Sequence, residues 1–563
     1  MLADNEKMHE PNNSGKVRHS LLIESRDARP SSRAREPFLR IPPFPGAKLN
    51  SFTRAPDESA NTVDLSAELR RLRVGGSYWA AQPELPSGCV LVRSVTAFDR
   101  AEELGCGGPV VAWTEDGVAP ASVQQIRGNC DPWHVLERTA ALVTDEKDEL
   151  RLIAALLGVP CHLHDGDELT LDDPDVGELL NQAISGAYAN PFTGEPMAIR
   201  EVIELCGFWR RLIDSNRDIA GGLGFAFWKQ GHVAPLLWNG SSSFLFAARV
   251  AELRSSAPVA VWRTRASPHA LDALERSDTP LIEVEDGFLR SRGLGADCIP
   301  PLSITVDRLG AHFDPSCPSE LELTLERGGF SDDILSRARD LRRLIVEAGL
   351  GKYSQGAAII DRPSGQRRHI LVPGQVEDDR AVEAGGCGLT SNLDLLKRVR
   401  RQAPDAYILY KPHPDVVAGH RRGAISHRIC LQYADQVVGE LPIGSLIGMA
   451  DEVHVNTSLA GFEALLRGKQ VTAYGVPFYA GWGLTRDLGP VPARRTARRT
   501  IDELVAATLL QYPRYLDPVT GLPCPAEVVV ARLSQCEERD PGLLVGMRRL
   551  QGKLMRRLRS LVQ

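Results

Sequence analysis

From about residue 75 onward, short runs of apolar residues alternate with stretches whose apolar positions recur at helical spacing. "GCVLVRSV" and "PVVAW" read as strands, while "VLERTAALV" and "DELRLIAALLG" read as helices. A clearer set follows: strand "APVAVW", helix "PHALDALER", strand "PLIEVEDG", and a helix around 332 to 349. Beyond it come strand "RRHILVPGQ", helix "SNLDLLKRVRRQ", strand "AYILYKPHP", helix "IGSLIGMA", strand "EVHVN", helix "SLAGFEALLRG" and strand "QVTAYG". Strands and helices that alternate at this spacing predict an α/β fold of doubly wound parallel sheets, with ligands at the carboxyl ends of the strands. Residues 1 to 60, rich in Pro, Ser and Arg and without either period, are expected to be disordered.

Two segments repeat. "YANPFTGEP" at 188 to 196 matches "YLDPVTGLP" at 515 to 523 at a constant offset of 327, and helix-like sequence follows both. "AALLGVPCHLHDG" at 154 to 166 echoes "EALLRGKQVTAYG" at 463 to 475 more loosely. The expected organisation is therefore a partial module at 75–205 and a complete one after it, with lobes at 206–360 and 361–535.

Length and composition narrow the function. At 563 residues the chain exceeds one ordinary core. Its net charge of -6 gives no case for nucleic acid as a partner. Eleven cysteines with no C-x-x-C pair suit a reducing cytosol. No stretch approaches 18 consecutive apolar residues, so neither secretion nor membrane spanning is expected. Residues 540–563 carry Met547, Leu550, Leu554, Leu558 and Leu561 among six cations and no acids in "GMRRLQGKLMRRLRSLVQ". That spacing predicts a basic amphipathic helix, suited either to an anionic membrane face or to docking on its own domain.

Candidate chemistry sits at the predicted strand ends. Glu285-Asp286-Gly287 closes one strand and is followed by Arg290 and Arg292. Carboxylates there either project toward a cleft, where arginines can meet an anionic substrate, or sit in a solvated strand-end turn. With 72 acids and 50 glycines in the chain, composition alone supplies about one such tripeptide by chance. The second copy, Glu115-Asp116-Gly117, has no following cations and reads as a turn. "ILYKPHP" ends a buried strand in Lys411-Pro-His413-Pro, offering donors to a phosphate; a plain strand-ending loop is the alternative. Thr457 and Ser458 stand at a helix N-terminus, where hydroxyls and free N–H groups bind anions or simply cap. Glu463, farther along that helix, is placed to reach a ribose, or it is a solvated acid. "GVPFYAGWGLT" at 475 to 485 either closes over a ligand or packs as a surface loop. There is no P-loop signature, and "CHLHD" at 161 to 165 is not expected to bind metal, because alternate strand residues face opposite sides.

These strings together, "EVEDGFLRSRGLG", "PLSITVDRLGAHFDPSCPSELE", "YKPHPDVVAGHRRG" and "NTSLAGFEALLRGKQVTAYGVPFYAGWGLT", resemble the capsule polysaccharide Kdo transferases of Gram-negative bacteria, the KpsC/LipA type. The similarity spans roughly 210 to 530, and the acid-acid-Gly and His-Pro pairs also resemble motifs of bacterial sialyltransferases. The resemblance implies a GT-B-like fold, two Rossmann-like lobes with a cleft between, preceded here by a partial repeat module. It implies transfer of the ulosonic acid Kdo from CMP-β-Kdo with retention, building a β-Kdo linker on a phosphatidylglycerol-type lipid. No cofactor or metal is implied. On matching positions it makes Asp286 the catalytic carboxylate, as nucleophile or base, with Glu285 in support. Lys411, His413, Thr457 and Ser458 would hold the CMP phosphate, Glu463 the ribose, and Arg290 or Arg292 the Kdo carboxylate. Location in the cytoplasm, peripheral to the inner membrane among capsule assembly and export proteins, follows from the same likeness. A donor of another CMP-ulosonic acid, or a non-catalytic scaffold in capsule assembly, are the competing readings.

Overall fold

The computed structural model describes residues 37–535, apart from 56–64, 95–96, 99–100, 102–103, 105–107, 115–118, 122, 166–167, 185, 254–255, 292–297, 352–361, 363–366, 420 and 440. The expected tail up to residue 36, the Glu115-Asp116-Gly117 turn, Arg292 and the basic helix at 540–563 lie outside the described residues.

Residues 37–55 are packed, contrary to the expectation of disorder through 60. Phe38, Leu39, Ile41, Phe44 and Phe52 are buried, and the ring of Phe44 meets Trp209 and Trp238 edge-on at 6.1 and 5.2 Å. Aromatic side chains too irregularly spaced to show a period still bury large apolar areas. The segment ends in β1 (Arg54–Ala55).

The first parallel sheet is built from β2 (Cys89–Val92), β3 (Val110–Trp113), β4 (Gln124–Ile126), β5 (Thr139–Thr144), β6 (Cys161–Asp165) and β7 (Glu168–Asp172), in the order β4-β3-β2-β5-β6-β7. All neighbours are parallel except the β6–β7 hairpin. "VLERTAALV" was expected to be one helix; instead a helix stops at Leu136 and β5 begins at Thr139. Five consecutive buried-type residues suit a two-sided parallel strand as well as a helix, and hydrophobic period cannot separate them. A hairpin of β8 (Ala187–Ala189) and β9 (Pro196–Met197) follows and pairs with β1.

The N-lobe sheet contains β10 (Gly221–Leu223), β11 (Phe246–Ala247), β12 (Val259–Val261), β13 (Leu281–Asp286) and β14 (Ser303–Asp307). The C-lobe sheet contains β15 (His369–Pro373), β16 (Tyr407–Lys411), β17 (Gln436–Val437), β18 (Glu452–Val455), β19 (Gln470–Ala473) and β20 (Arg486–Asp487), parallel throughout. The chain then returns: β21 (Pro513–Leu516) and β22 (Pro523–Cys524) join the N-lobe sheet, in the order β11-β10-β12-β13-β14-β21-β22. The expected lobe boundary, with everything from 361 to 535 on one side, therefore does not hold for the last strands. Sequence order gives no sign of that crossing, because β21 earns its place by antiparallel pairing with β14, some two hundred residues upstream.

The repeat is structural. Tyr188 pairs with Met197 and Tyr515 with Cys524, and the helices behind the hairpins start at Ile199 and Ala526, all at the offset of 327. The C-lobe order, β17-β16-β15-β18-β19-β20, is the first sheet's order strand for strand. The helix after the fourth strand closes alike in both. Val159 N donates to Ala154 O and Lys469 N to Ala464 O, around Gly158 and Gly468 at φ 71° and 69°. Glycine is needed there because the left-handed conformation strains other residues. This fixes the offset at 310, one residue from the sequence alignment of 154–166 with 463–475. The arrangement is GT-B-like, two Rossmann-like lobes with a cleft between them, preceded by a second copy of the C-lobe sheet and its hairpin.

Candidate active site

The cleft measures about 580 Å³ and is lined from both lobes by the carboxyl ends of parallel strands and the loops after them. Glu285, Asp286, Lys411, His413, Thr457, Ser458 and Glu463 all line it, so these sequence-derived candidates converge.

On the N-lobe side, Asp286 is the last residue of β13 and pairs with Ile304 of β14. Its two carboxylate oxygens are held by different cations. Lys229 Nζ lies 3.1 Å from Oδ1, and Arg290 Nε donates to Oδ2 at 2.8 Å. Arg290 is 1% exposed, and its terminal nitrogens donate to Ser291 Oγ and to Ile299 O. It was expected to meet a substrate carboxylate; its fork is spent on the protein instead, orienting Asp286. Gly287 is required by space: a Cβ there would lie 2.2 Å from Ser303 Oγ and 3.1 Å from the Ser303 carbonyl carbon.

Lys229, in the first turn of the helix Phe227–Leu237, is the residue that sequence reading missed. It is buried, with Nζ 3.4 Å from the Trp262 ring centroid and 5.2 Å from that of Trp228. Burial lowers its pKa, and the Asp286 carboxylate opposes that shift. "FAFWKQGH" carries no motif, so only the tertiary structure brings it to β13.

Glu285 faces the other lobe. Arg380 reaches across from the C-lobe and donates to Glu285 Oε1 at 2.7 Å while also pairing with Glu283 at 3.4 Å. Its guanidinium lies 5.0 Å from the Phe313 ring centroid. Burial pushes the Glu285 carboxyl up to about 7, with Arg380 pulling it down and Asp286 pushing it up. A carboxyl held near neutrality in a cleft is suited to proton transfer.

The C-lobe brings cationic and hydroxyl side chains and a helix N-terminus to its side of the cleft. Lys411 ends β16, buried, with Nζ donating to Gly439 O at 3.1 Å, which uses one of its three donors. Burial lowers its pKa. His413 accepts the Asp415 N–H on Nδ1 at 3.1 Å and so starts the short helix Pro414–Val417. Ser458 caps the helix Leu459–Leu466, accepting from Ala460 N at 3.2 Å. Gln375, in the loop after β15, is a second residue that sequence reading missed. Its amide clasps Thr457 twice, accepting from Thr457 N at 3.0 Å and donating to Oγ1 at 2.9 Å. Asn392 in turn fixes Gln375 by donating to its carbonyl and accepting from its N–H, both at 2.8 Å. Glu463 is buried in the helix behind Ser458 and packs against Gly351, which answers the alternative of a solvated acid. Among the described residues no group of three or more His, Cys, Asp and Glu is arranged to hold a metal ion. "GVPFYAGWGLT" packs inward: Phe478, Tyr479 and Trp482 are buried, and Phe478 meets Phe288 at 4.8 Å and lines the cleft.

Among the described residues, the equivalent strand and helix ends of the first sheet carry different side chains. Its second strand ends in Trp113, where β16 ends in Lys411. Ahead of its helix after the fourth strand stands Asp148, where the C-lobe has Ser458. Asp148 caps Leu150 N, accepts from Thr144 and pairs with Arg93 at 2.7 Å. A fixed carboxylate at a helix N-terminus occupies the place an anionic ligand would take.

The chain is similar to known proteins over the part that holds most of these residues. The family described as capsule polysaccharide biosynthesis proteins matches residues 257–350 and 349–515, from just before β12 into β21. The capsule polysaccharide modification protein LipA of Neisseria meningitidis serogroup B is 40% identical over 365 residues, 63% of this chain and 51% of that relative. The chain belongs to the capsule polysaccharide biosynthesis family of the KpsC/LipA type. It spans about half the length of the LipA relative. Two solved structures of Thermosulfurimonas dismutans KpsC, a beta Kdo 2,4 transferase and a beta Kdo 2,7 transferase, are 31% and 33% identical. Each match covers 56% of this chain and 98% of the solved one, with TM-scores of 0.49 and 0.46. The match of this KpsC/LipA-type chain to its family contains Glu285, Asp286, Arg380, Gln375, Lys411, His413, Ser458 and Glu463, and begins after Lys229.

Proposed function

We propose that this protein is a glycosyltransferase of capsule polysaccharide biosynthesis that transfers Kdo from CMP-β-Kdo, with retention, onto a lipid acceptor. The observation that carries this reading is the pairing, across one cleft, of a cation-clamped carboxylate with a wall built for a phosphate. The names of the KpsC neighbours supply the sugar.

In the first step Asp286 attacks the anomeric carbon, and the bond from that carbon to the CMP phosphate oxygen breaks with its electron pair on oxygen. Lys411, His413 and the helix N-terminus at Ser458 stabilise the departing phosphate through fixed donors. In the second step an acceptor hydroxyl attacks the same carbon, Asp286 leaves as a carboxylate, and Glu285 takes the hydroxyl proton. Two inversions give retention, by analogy with glycosidases that use two carboxylates. Glu463 meets the ribose, and the residues of the chain suffice without a cofactor or metal. The acceptor is a lipid of phosphatidylglycerol type carrying Kdo, reached at the cytoplasmic face of the inner membrane with residues 540–563 against the lipid and capsule assembly and export proteins alongside.

Incubation of CMP-Kdo with a Kdo-primed lipid mimic, followed by product analysis, tests the proposal. Elongated product and CMP are expected from the wild type and neither from Asp286→Ala. Faster turnover of CMP-sialate would move the donor to another ulosonic acid, and CMP release unchanged in Asp286→Ala would favour a scaffold.

A further inference from the structure

An ulosonic acid donor brings a carboxylate on the carbon that reacts, and the cleft must neutralise it beside Asp286. Arg290 also lines the cleft, but its guanidinium is committed to Asp286, Ser291 and Ile299 and cannot turn to a ligand without abandoning them. Lys229, likewise buried, has Asp286 as its hydrogen-bond partner among the described residues. Its ammonium is a compact charge on a flexible stem, seated on the Trp262 face 3.4 Å from the ring centroid, and its side chain lines the cleft. It also shares the burden at Asp286 unequally: the oxygen it holds at 3.1 Å lies farther from its cation than the one that Arg290 holds at 2.8 Å. A nucleophilic oxygen has to shed one such partner before it can attack. Trp228 and Trp262, with Gly224 and Thr264, wall the same corner of the cleft, so an ammonium leaving Oδ1 stays over its aromatic seat.

We propose that Lys229 is the residue that recognises the donor's carboxylate, exchanging Asp286 Oδ1 for it as the donor enters and so lifting its cation from that oxygen. The inference rests on the Kdo donor proposed above. It couples donor recognition to activation: a donor without the carboxylate leaves Lys229 on Asp286 and the nucleophile masked.

The test uses the full chain and two donors, CMP-Kdo and its 1-carboxamide, with wild type, Lys229→Met and Lys229→Arg. With CMP-Kdo, Lys229→Met is expected to raise the donor KM by about tenfold to a hundredfold, the range of a hydrogen bond between charged partners. Lys229→Arg should recover part of the loss. Affinity for CMP, which has no sugar carboxylate, should stay unchanged in both variants; that also establishes that they fold. Replacing the carboxylate by the amide should cost the wild type about as much as the Lys229→Met substitution does, and the two losses should not add. Additive losses, or a kcat loss with the donor KM unchanged, would overturn the proposal and leave Lys229 a support for Asp286. A donor KM that responds to Arg265→Met but not to Lys229→Met would do the same, because Arg265 is exposed on the same wall. If the wild type turns over no CMP-Kdo, the donor assignment falls first and this proposal with it.

Discussion

Among the described residues Arg380 is the cation that pairs from the C-lobe with the carboxylates of β13, and its removal makes a graded prediction. In Arg380→Met, Glu285 loses its 2.7 Å ion pair, while Glu283 keeps Arg263 at 2.5 Å. Two charges about 4 Å apart interact by about 4 kcal/mol at an effective dielectric of 20 and about 1 kcal/mol in water. Arg380 is 24% exposed and Glu285 16%, so the pair belongs between these limits. One pH unit corresponds to about 1.4 kcal/mol, so loss of the pair raises the Glu285 carboxyl from about 7 by about one to three pH units. If Glu285 takes the acceptor's proton, kcat/KM for the acceptor rises with pH through a limb near 7 in the wild type. In Arg380→Met that limb moves upward, activity at pH 7 falls about fivefold or more, and it recovers at alkaline pH. Initial rates of CMP release from pH 6 to 10, with Glu285→Gln as the variant that has no limb to move, make the measurement. A loss in Arg380→Met that is equal at every pH would refute the reasoning, since it would mean that Arg380 only holds the lobes together.

Other consequences can be checked independently. The Gly287→Ala Cβ would collide with Ser303, whose Oγ donates to Leu289 O, and the variant is expected to lose about 1–3 kcal/mol in urea unfolding. Glu285 holds its proton more tightly folded than unfolded, so its contribution to stability is complete below about 4.5 and is lost as the pH rises through about 7. Glu285→Gln should therefore become more stable relative to the wild type from pH 5 to pH 8, by up to about 3 kcal/mol, and a constant difference would refute the shift. Calorimetric titration with CMP should saturate at one site per chain. Ser458→Ala should weaken that binding, whereas Asp148→Ala should leave it intact while lowering the unfolding midpoint through loss of the Arg93 pair and the Leu150 cap.

Much of this was legible in the chain. The strands β12, β13, β15, β16, β18 and β19 stand where period and punctuation put them, because parallel strands buried on both faces read as continuous apolar runs, whereas β14 and β17 were not expected. Asp286, Lys411 and Ser458 were found because strand ends and helix starts leave local marks. The partners that complete the site leave none. Lys229, Arg380 and Gln375 are ordinary residues of their segments, brought to β13 and to Thr457 by the tertiary structure alone. Arg290 was visible, but a sequence cannot tell whether an arginine four residues from an acid faces a ligand or that acid. The helix expected at 135–143 failed for a different reason: "TAALV" satisfies both periods, and the neighbouring strands β2 and β6 decide.

The duplicated six-strand sheet gives this chain an internal reference. The described residues of 89–172 hold the strand order of the C-lobe, with the last strand reversed, so what the two copies share, such as the Gly158 and Gly468 helix ends, is what the architecture demands. What they do not share, Trp113 for Lys411 and Asp148 for Ser458, marks positions that the architecture leaves open to change and that the proposed reaction would use. Substitutions in the first copy measure tolerance of the scaffold alone, and the same substitutions in the second measure scaffold plus catalysis. Their difference isolates the catalytic demand within a single polypeptide.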